Sequence, residues 1–480
     1  MKNTDSNNFS LVVDLDNSLL KIDLFEEILG KALLKHPLLF LKTLMFAIKS
    51  KALAKTFISK ACNIDWHTLP FNREILDIIT NYRKKGYKIL LATGSPEGYA
   101  HPIADHLGMF DAVIATDEST NNVGLKKLEA IIKEVGNNFI YMGDSYKDLP
   151  VWLHCKKSIL VGDNSSIKKK LISNNVEIIN IIKKEKSIIK VLLKQMRVQQ
   201  WIKNLLLFVP AIASHRITEV DVLFNNFSAF FAFSLLASSI YVLNDIVDLD
   251  HDRKHPKKKT RPIAAGDLNM FRAYGVFSFC FLIGFLLSIS INTLFFFTVF
   301  VYVVMNILYS FYLKRFVILD VMLLMSFYSL RIIAGQIPDS IPFSQWLLSF
   351  SMFIFFSLGL LKRYVDTKVM KDKNITFLSG RGYKTSDGNL LMILGVGSGL
   401  ISVLILMLYT SSQNVQKLYE TPILLIGTAP LMIYWIARLW FKAERGEISE
   451  DPVLFTIKDK TSYLVAFLLL IITIAATIQI

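Results

Sequence analysis

From residue 201 onward the chain is divided by long stretches without a charged side chain, and no other feature constrains its fold as strongly. An apolar helix of about 20 residues crosses the hydrocarbon core of a bilayer. Uncharged runs of this kind occupy Val222–Asn244, Ala273–Leu313, Ser340–Leu361, Leu390–Gln416, Thr421–Ala437 and Tyr463–Ile480. The second run is long enough for two spans, with a turn near Ser290–Asn292. Two less regular runs, Trp201–Ser214 and Phe316–Gly335, complete a predicted set of nine transmembrane helices.

Loops rich in Lys and Arg alternate with loops that are poor in them along this predicted series. The positive-inside rule then places the N-terminal part and the basic loops in the cytoplasm, and nine spans place the C-terminus on the opposite side. We therefore expect a multi-pass protein of the inner (plasma) membrane. This bias accounts for the net charge of +15 better than nucleic-acid binding does. The three cysteines lack metal-ligand spacing, which favours reduced thiols.

The N-terminal part reads as a soluble α/β domain whose strands end in polar residues. The apolar strand beginning at Phe9 ends in Asp14 and Asp16, and the strand Lys88–Ala92 ends in Thr93-Gly94-Ser95. Later polar positions are Asp144 and Asp148, after the strand Phe139–Met142, and Lys126, which opens a predicted helix. Open parallel sheets bind ligands at the carboxyl ends of their strands, so we expect these side chains to share one crevice.

In this order, the four elements resemble the motifs of the haloacid-dehalogenase (HAD) phosphatase superfamily, over about residues 9–165. The resemblance implies a Rossmann-type parallel sheet with a helical cap at about residues 21–80. It also implies Asp14 as the nucleophile and Asp16 as the general acid/base. Thr93, Gly94 and Lys126 would hold the phosphate. The implied magnesium ligands are Asp14, Asp16, Asp144 and Asp148. Hard oxygen ligands suit magnesium, and its charge would allow a carboxylate to attack phosphorus.

Two segments of the N-terminal part leave alternatives open. Within the cap, Leu33–Ser59 is apolar and basic. It either closes a core or touches the bilayer to receive a lipid-borne substrate. Residues 166–196 form a predicted linker between a domain at 1–165 and a membrane domain at 197–480. Within it, Ile167–Lys194 has helical spacing of basic and apolar residues, which fits either an amphipathic helix on the membrane surface or an ordinary solvated helix.

An aspartate-rich segment stands at the end of the predicted second span. Asp245, Asp248 and Asp252 are spaced i, i+3 and i+7, which places them on one face of a helix. Three carboxylates repel each other there unless a cation lies between them. A basic loop that includes Lys258 follows directly. Carboxylates for magnesium beside cations for phosphate are the composition expected of a diphosphate site.

From Asn244 to Asp252, the segment resembles the N-D-x-x-D-x-x-x-D motif of the UbiA prenyltransferase superfamily, over about residues 196–480. The resemblance implies nine helices around a lipid-open cavity. It also implies a magnesium site in which Asp245 and Asp248 are catalytic, Asp252 is a further ligand, and Asn244 binds substrate. The second aspartate pair of the aromatic prenyltransferases is missing, because Met370 stands four residues after Asp366.

Two other segments are similar to the decaprenyl-phosphate phosphoribosyltransferase branch of that superfamily. Tyr309–Lys314 looks like its Y-x-x-x-L-K motif. Arg197–Asn204 looks like its R-P-x-Q-W-x-K-N segment, although Val198 replaces the proline. Asp320 and the Arg381-Gly382-Tyr383 turn also look like that branch. Its chemistry implies one magnesium ion in each domain, and the substrate-binding candidates are Lys203, Lys258, Tyr309, Lys314 and Arg331.

The expected reaction moves phosphoribose from phosphoribosyl diphosphate (PRPP) to a polyprenyl phosphate, a type of lipid used in building the cell envelope. The fused HAD domain would then remove the 5-phosphate of the product. One alternative is transfer of a prenyl group from a polyprenyl diphosphate to an aromatic ring. A second is a transporter with a regulatory domain. A homo-oligomer is an expectation from the family alone.

Overall fold

The computed structural model describes residues 9–478 except 63, 163, 184–185, 373–380 and 449–450. The chain divides into two compact units, Met1–Val198 with Tyr241–Phe279, and Gln199–Ile240 with Cys280–Ile480. The grouping of Tyr241–Phe279, which carries the aspartate-rich segment, with the N-terminal unit was not predicted.

The first unit is built on a six-stranded parallel sheet in the order β3-β2-β1-β4-β5-β6. The strands are β1 Ser10–Val13, β2 Lys88–Pro96, β3 Ala112–Thr116, β4 Phe139–Gly143, β5 Lys157–Val161 and β6 Glu177–Ile182. Ser10 at the start of β1 aligns with Lys88 on one side and Phe139 on the other. All carboxyl ends consequently lie at one edge of the sheet, as the sequence predicts for an α/β domain.

Helices cover both faces of this sheet. The nine helices of this part of the chain are α1 Leu24–Lys35, α2 Pro37–Lys49, α3 Lys51–Ala61, α4 Arg73–Lys84, α5 Glu97–Leu107, α6 Leu125–Val135, α7 Leu149–His154, α8 Ser165–Ser173 and α9 Ile188–Gln195, of which α9 lies away from the sheet. Because strand side chains alternate, Leu11 and Val13 of β1 join one core, while Val12 joins the other. A parallel strand buried on both faces is apolar throughout, as β1 is.

The segment between β1 and β2 contains the helices of the predicted cap. Helices α1, α2 and α3 follow each other with single-residue breaks at His36 and Ser50. Helix α4 follows them and buries Ile75 and Ile79 in the core that also contains Ile28 of α1 and Ile58 of α3.

The predicted linker at 166–196 is wrong in its first part. Helix α8 buries Ile167 and Leu171 against the sheet, and β6 pairs with β5 in parallel. The sheet therefore extends to Ile182, because the apolar run Ile178–Ile182 completes an edge that β5 would otherwise leave open. Only α9 remains as a connector, and it buries Val191 in a small core with Val242 and Ile246.

Twelve further helices complete the chain. They are α10 Val209–Ala213, α11 Val220–Val247, α12 Leu249–Lys254, α13 Met270–Ile291, α14 Thr293–Phe311, α15 Leu319–Gln336, α16 Gln345–Asp372, α17 Gly388–Thr410, α18 Gln413–Leu418, α19 Thr428–Glu444, α20 Pro452–Lys458 and α21 Lys460–Ala476. The predicted turn between the third and fourth spans is confirmed, because Asn292 caps the start of α14.

Within the described residues, seven helices are long and apolar enough to cross a membrane, and α20 with α21 forms one further pair bent by 79°. The count thus reaches eight rather than the predicted nine. The span expected at Trp201–Ser214 is instead a 3-10 segment, Val198–Phe208, followed by the five-residue α10. Pro210 lies in the first turn of α10, where it cannot donate a backbone hydrogen bond to the preceding segment.

Close helix packing in the second unit depends on small residues. A Cβ added to Gly395 of α17 would lie 2.2 Å from the ring of Trp440 in α19. At the membrane-facing surface the opposite holds, and α13 and α14 expose large apolar side chains such as Leu282 and Phe297. This distribution is that of helices solvated by lipid.

Candidate functional site

The first polar cluster lies directly after β1 and depends on a tight turn. Asn17 adopts a left-handed conformation with φ of 54°, which asparagine tolerates better than most residues. The backbone N–H of Leu19 donates to the carbonyl of Asp14 at 3.2 Å and closes the turn. Asp14 and Asp16 are thereby turned toward the same edge of the sheet, as the sequence predicts.

Three carboxylates gather at this edge: Asp14 after β1, Asp144 after β4 and Asp148 before α7. Their oxygens lie within 4.8 Å of one another. Asp14 and Asp148 are buried, while Asp144 is half-buried. Burial, followed by the neighbouring carboxylates, holds the pKa of Asp14 well above its usual range, although Lys127 opposes that shift.

Lys127, and not the predicted Lys126, supplies the cation of this cluster. Its Nζ donates to Asp14 at 2.8 Å, to Asp148 at 3.0 Å and to the Tyr141 hydroxyl at 2.8 Å. Burial alone would lower the pKa of Lys127, but the two carboxylates outweigh it and raise the pKa. Lys126 is exposed, because one residue along a helix turns the side chain by about 100°. The sequence did contain a signal, since Lys127 stands four residues before Ile131, which is buried in the core.

Asp16 does not belong to the three-carboxylate group, which corrects its prediction as a metal ligand. Its Oδ1 accepts from the backbone N–H of Leu24 at 3.0 Å, and its Oδ2 accepts from the Ser95 hydroxyl at 2.6 Å. Burial, followed by repulsion from Asp23, raises the pKa of Asp16 to about 6. A carboxyl group in such a setting can both give and take a proton near neutral pH.

Thr93 and Gly94 lie in the last part of β2, which continues beyond the predicted strand end. The Thr93 Oγ1 accepts from the backbone N–H of Ser95 at 2.9 Å and lies 3.5 Å from Asp16. A residue that sequence reasoning missed, Lys55 of α3, donates from Nζ to the carbonyl of Gly94 at 2.5 Å. The cap thus places a second lysine at the expected phosphate-binding turn.

The donors at this edge fit a magnesium ion. Carboxylate oxygens from three separate segments converge there, and magnesium prefers such ligands. The half-buried Asp144 leaves one side of the group accessible. Asp14, Asp144 and Asp148 are therefore the residues that would hold the ion.

The second polar cluster surrounds the aspartate-rich segment at the end of α11. Asp245 is buried and is contacted by Arg197, by Arg261 with Nη1–Oδ1 at 2.8 Å, and by Gln195 with Nε2–Oδ2 at 3.0 Å. Arg261 also reaches Asp252, with Nη1–Oδ2 at 2.5 Å. A guanidinium therefore lies between the two carboxylates at the place where the sequence predicts a cation.

The remaining predicted residues of this segment occupy less buried positions. Asn244 and Asp248 are half-buried, and Asp248 starts α12 without a side-chain cap. Lys258 Nζ lies 3.8 Å from Asp252 Oδ1. No group of three carboxylates within metal-ligand distance occurs here among the described residues.

Two buried oxygens nevertheless fit a metal ion at this cluster. Asp252 Oδ1 and Gln195 Oε1 lack hydrogen-bond partners within the described part of the chain. The other oxygen of Asp252 accepts from Arg261, and the amide nitrogen of Gln195 donates to Asp245. Asp245 and Asp252 are therefore the residues that would hold an ion, and Arg261 is the cation with which the ion would compete. Sequence reasoning missed Gln195 and Arg197, because their approach to Asp245 depends on α9.

In the second unit, Arg331 of α15 is buried in a ring of neutral partners. Its Nε donates to Asn204 Oδ1 at 2.7 Å, and its Nη2 donates to the Tyr302 hydroxyl at 3.0 Å. Its guanidinium also lies 5.1 Å from the ring centre of Phe233. No carboxylate of the described residues lies within ion-pair distance of Arg331. A buried guanidinium of this kind favours binding of an anion.

A second group of charges in this unit centres on Asp451. Lys203 and Lys362 both point their Nζ atoms at Asp451 Oδ2, at 3.1 and 3.2 Å. The predicted residue Lys203 thus shares the carboxylate of Asp451 with Lys362.

Tyr309 belongs to a third group, arranged around the buried Asp320. Arg363 Nε donates to Asp320 at 2.7 Å, and the Tyr383 hydroxyl donates to it at 2.5 Å. The Tyr309 hydroxyl lies 3.5 Å from Arg363 Nη2. These contacts give Asp320 and Tyr383 a structural role. Lys314 lies half-buried in the 3-10 turn Leu313–Arg315 that follows α14.

Comparison with known protein families identifies both parts of the chain. Residues 206–457 match the UbiA prenyltransferase family, which is more than half of the chain. Residues 12–152 match the haloacid dehalogenase-like hydrolases. Both are enzyme families.

Similar proteins share either the whole arrangement or its membrane part. The uncharacterized protein y4nM of Sinorhizobium fredii is 32% identical over 96% of this chain and 89% of its own length. Decaprenyl-phosphate phosphoribosyltransferase of Mycolicibacterium smegmatis is 34% identical over 38% of this chain and 59% of its own length. A UbiA homolog from Archaeoglobus fulgidus, solved with GPP and Mg²⁺, covers 60% of this chain and 99% of its own at 14% identity, with a TM-score of 0.46.

Each matched segment lies within one of the two predicted parts. The HAD-like match contains Asp14, Asp16, Lys127 and all three grouped carboxylates. The UbiA match contains the aspartate-rich segment and the seven long apolar helices, and it ends before α21. The chain therefore belongs to the UbiA prenyltransferase family and carries a haloacid dehalogenase-like hydrolase domain at its N-terminal end.

Proposed function

We propose that the membrane part transfers phosphoribose from PRPP to a polyprenyl phosphate, and that the HAD-like domain then removes the 5-phosphate of the lipid product. The observation that carries this pairing is that the Asp245 cluster and the Asp14 cluster belong to one compact unit. Covalent linkage raises the effective concentration of a lipid product near the second site. Similarity to decaprenyl-phosphate phosphoribosyltransferases supports the first step.

In the transfer step, a phosphate oxygen of the lipid attacks C1 of the ribose. The bond from C1 to the diphosphate breaks, and diphosphate leaves with the electron pair. Arg261 and Arg197, which contact Asp245, would bind the diphosphate. Magnesium, when bound, would neutralise the charge that builds on this leaving group. Arg331 and Lys203 are the proposed ligands of the other phosphate groups, with Lys258, Lys314 and Tyr309 as further candidates.

In the hydrolysis step, a carboxylate oxygen of Asp14 attacks the phosphorus, and the ribose oxygen leaves with a proton from Asp16. Water then attacks the aspartyl phosphate, Asp16 takes its proton, and inorganic phosphate is released. Lys127 would hold Asp14 in position for this attack, since it donates to Asp14 and Asp148. Thr93, Gly94 and Lys55 would bind the phosphoryl oxygens.

We also propose the membrane arrangement expected from the loop charges. The N-terminal domain and basic loops would face the cytoplasm at the inner membrane, and the C-terminus would lie on the other side. This requires residues 198–213 to make a ninth, irregular crossing. A reporter fused after Ile480 tests this, since activity on the cytoplasmic side would contradict the arrangement. A homo-oligomer stays a prediction.

The decisive experiment uses the purified full chain with magnesium, polyprenyl phosphate and PRPP labelled in the ribose. Wild type should move label into the lipid phase, and Asp245→Asn should not. Asp14→Asn should accumulate a lipid heavier by one phosphate than the wild-type product. A folded wild-type protein that transfers no label would contradict the proposal. The next trial would then be a polyprenyl diphosphate with hydroxybenzoate-type acceptors.

A further inference from the structure

We propose that helix α2 of the cap lies in the surface of the lipid bilayer, and that the HAD-like site therefore acts on a phosphate ester carried by a lipid. The proposed substrate class rests on the proposed phosphatase function. The membrane contact of α2 does not, because it follows from the surface of the helix and from its neighbours.

The first observation is an apolar stripe along α2. Leu38, Leu41, Met45 and Ile48 are 75, 55, 67 and 87% exposed. Their spacing of three and four residues places them on one face of the helix. Water-soluble domains rarely expose such a row of large apolar side chains, and its presence marks an interaction surface.

The opposite face of α2 holds the helix firmly in the cap. Thr43 is fully buried, and Leu39 and Phe40 pack against the core of the sheet. The ring of Phe46 lies 4.7 Å from that of Phe57 in α3. The exposed stripe is therefore displayed by a packed helix, with its apolar residues fixed in one direction.

The second observation is that the cap packs against a candidate membrane span. Helix α1, which leads into α2, packs on the first turns of α13, a candidate membrane span. Gly30 touches Met270 so closely that an added Cβ would lie 2.1 Å from Met270 Cγ. The Tyr274 hydroxyl donates to the carbonyl of Gly30 at 2.8 Å. The cap thus lies beside the point where the chain begins to cross the bilayer.

The charges next to the stripe favour lipid over a protein partner. Lys42 and Lys49 of α2 are exposed, and helical spacing places both along one edge of the stripe; Lys51, which begins α3, is exposed as well. A helix with lysines flanking an apolar face is typical of segments that lie in the interface of an anionic membrane. The long lysine side chains can reach the phosphate groups while the apolar face enters the acyl region.

Helix α2 also lies close in sequence to the residue that reaches the expected phosphate-binding turn. Helix α3 follows after Ser50 and carries Lys55, which donates to the carbonyl of Gly94 at the expected phosphate-binding turn. A lipid whose head group emerges beside α2 would therefore present its phosphate to the Asp14 cluster. The substrate class is a phosphate monoester on a membrane-anchored carrier.

A probe experiment tests the contact without relying on any activity. The full chain, with Cys62, Cys155 and Cys280 replaced by Ser, carries a fluorescent label at Ile48→Cys. The control label is at Asn137→Cys, an exposed loop position before β4 at the opposite edge of the sheet. In vesicles of phosphatidylcholine and phosphatidylglycerol, spin-labelled lipid should quench the probe at position 48 strongly and the control weakly. Equal quenching at the two positions would overturn the proposal.

A kinetic experiment then tests the consequence for substrate. The variant Met45→Glu/Ile48→Glu in vesicles should hydrolyse a soluble phosphate ester as wild type does. It should lose roughly tenfold in rate on a lipid-borne phosphate, because charged side chains resist burial in the bilayer. Equal losses on both substrates, or no loss on the lipid, would contradict the inference. If the wild-type protein hydrolyses neither substrate, the proposed phosphatase function is contradicted. The quenching experiment would then still test whether α2 contacts the membrane.

Discussion

Arg253 of α12 binds Glu27 of the cap helix α1 through two parallel hydrogen bonds, with Nη1–Oε1 at 2.7 Å and Nη2–Oε2 at 2.6 Å. Both side chains are buried. Burial alone would raise the pKa of Glu27, but Arg253 and then Lys31 outweigh it and lower the pKa. This pair joins α12, which carries the end of the aspartate-rich segment, to the cap of the HAD-like domain.

Replacing Arg253 by Met should loosen this junction. The change leaves Glu27 buried without its main partner, and breaking a buried pair costs about 3–5 kcal/mol. Amide hydrogen exchange in α1 of the reconstituted full chain should become faster. The matched control is Glu118→Gln, which breaks the exposed pair Lys60–Glu118 and should cost less than about 1 kcal/mol. Unchanged exchange in α1 of the Arg253 variant would contradict this role.

Two adjacent lysines should differ sharply in their effect on hydrolysis. Lys127→Met removes the cation between Asp14 and Asp148, and we expect phosphatase activity to fall by roughly 10²-fold or more. Lys126→Met alters an exposed side chain and should leave the rate within about twofold. The rate of hydrolysis of a soluble phosphate ester is measured for both variants. Transferase activity of the same preparations reports on folding, and a larger loss from the Lys126 change would refute the assignment.

Arg261 should compete with magnesium at the aspartate-rich segment. It bridges Asp245 and Asp252, so Arg261→Gln removes one competing cation from both carboxylates, while Arg197 and Gln195 still contact Asp245. The magnesium concentration for half-maximal transfer should fall by roughly tenfold, which corresponds to about 1.4 kcal/mol. The KM for PRPP should rise, because a cation that faces the diphosphate is lost. Lys259→Gln, at an exposed position in the same loop, is the control. A higher magnesium requirement in the Arg261 variant would exclude competition.

Acid should weaken the contact between Asp250 and the cap. Burial alone would raise the pKa of Asp250, but Lys31 and Lys35 outweigh it and lower the pKa to about 2. A carboxyl group whose pKa is lowered on folding stabilises above its unfolded pKa of about 3.9 and loses that contribution as the pH falls toward 2. Asp250 is half-exposed, so the effect should be below about 1 kcal/mol.

Comparison of wild type with Asp250→Asn checks this pH dependence. The difference in free energy of unfolding of the N-terminal unit should be present at pH 6 and should disappear near pH 2. Proteolysis of the full chain at each pH is a suitable measurement. A difference that grows on acidification would contradict the sign of the shift.

Local patterns were sufficient for much of the fold and for part of each site. The three predicted apolar strands that precede Asp14, Thr93 and Gly143 recur as β1, β2 and β4, although β2 continues to Pro96. Because the strands are parallel, their carboxyl ends lie at one edge of the sheet. The uncharged runs that became α11, α13 and α14 were also recognisable. In each case the information lies within one continuous segment, where hydrophobicity decides burial.

Tertiary structure decided which side chains meet. The rotation of α6 selects Lys127 over Lys126, and the packing of α9 brings Gln195 and Arg197 to Asp245. Local patterns also did not predict that β6 extends the sheet, or that residues 201–214 do not form a long helix. Composition and periodicity determine what a segment buries. The rotation of each helix and the order of neighbouring strands determine which distant charges come within hydrogen-bond distance. Both are fixed only when the helices and strands pack together.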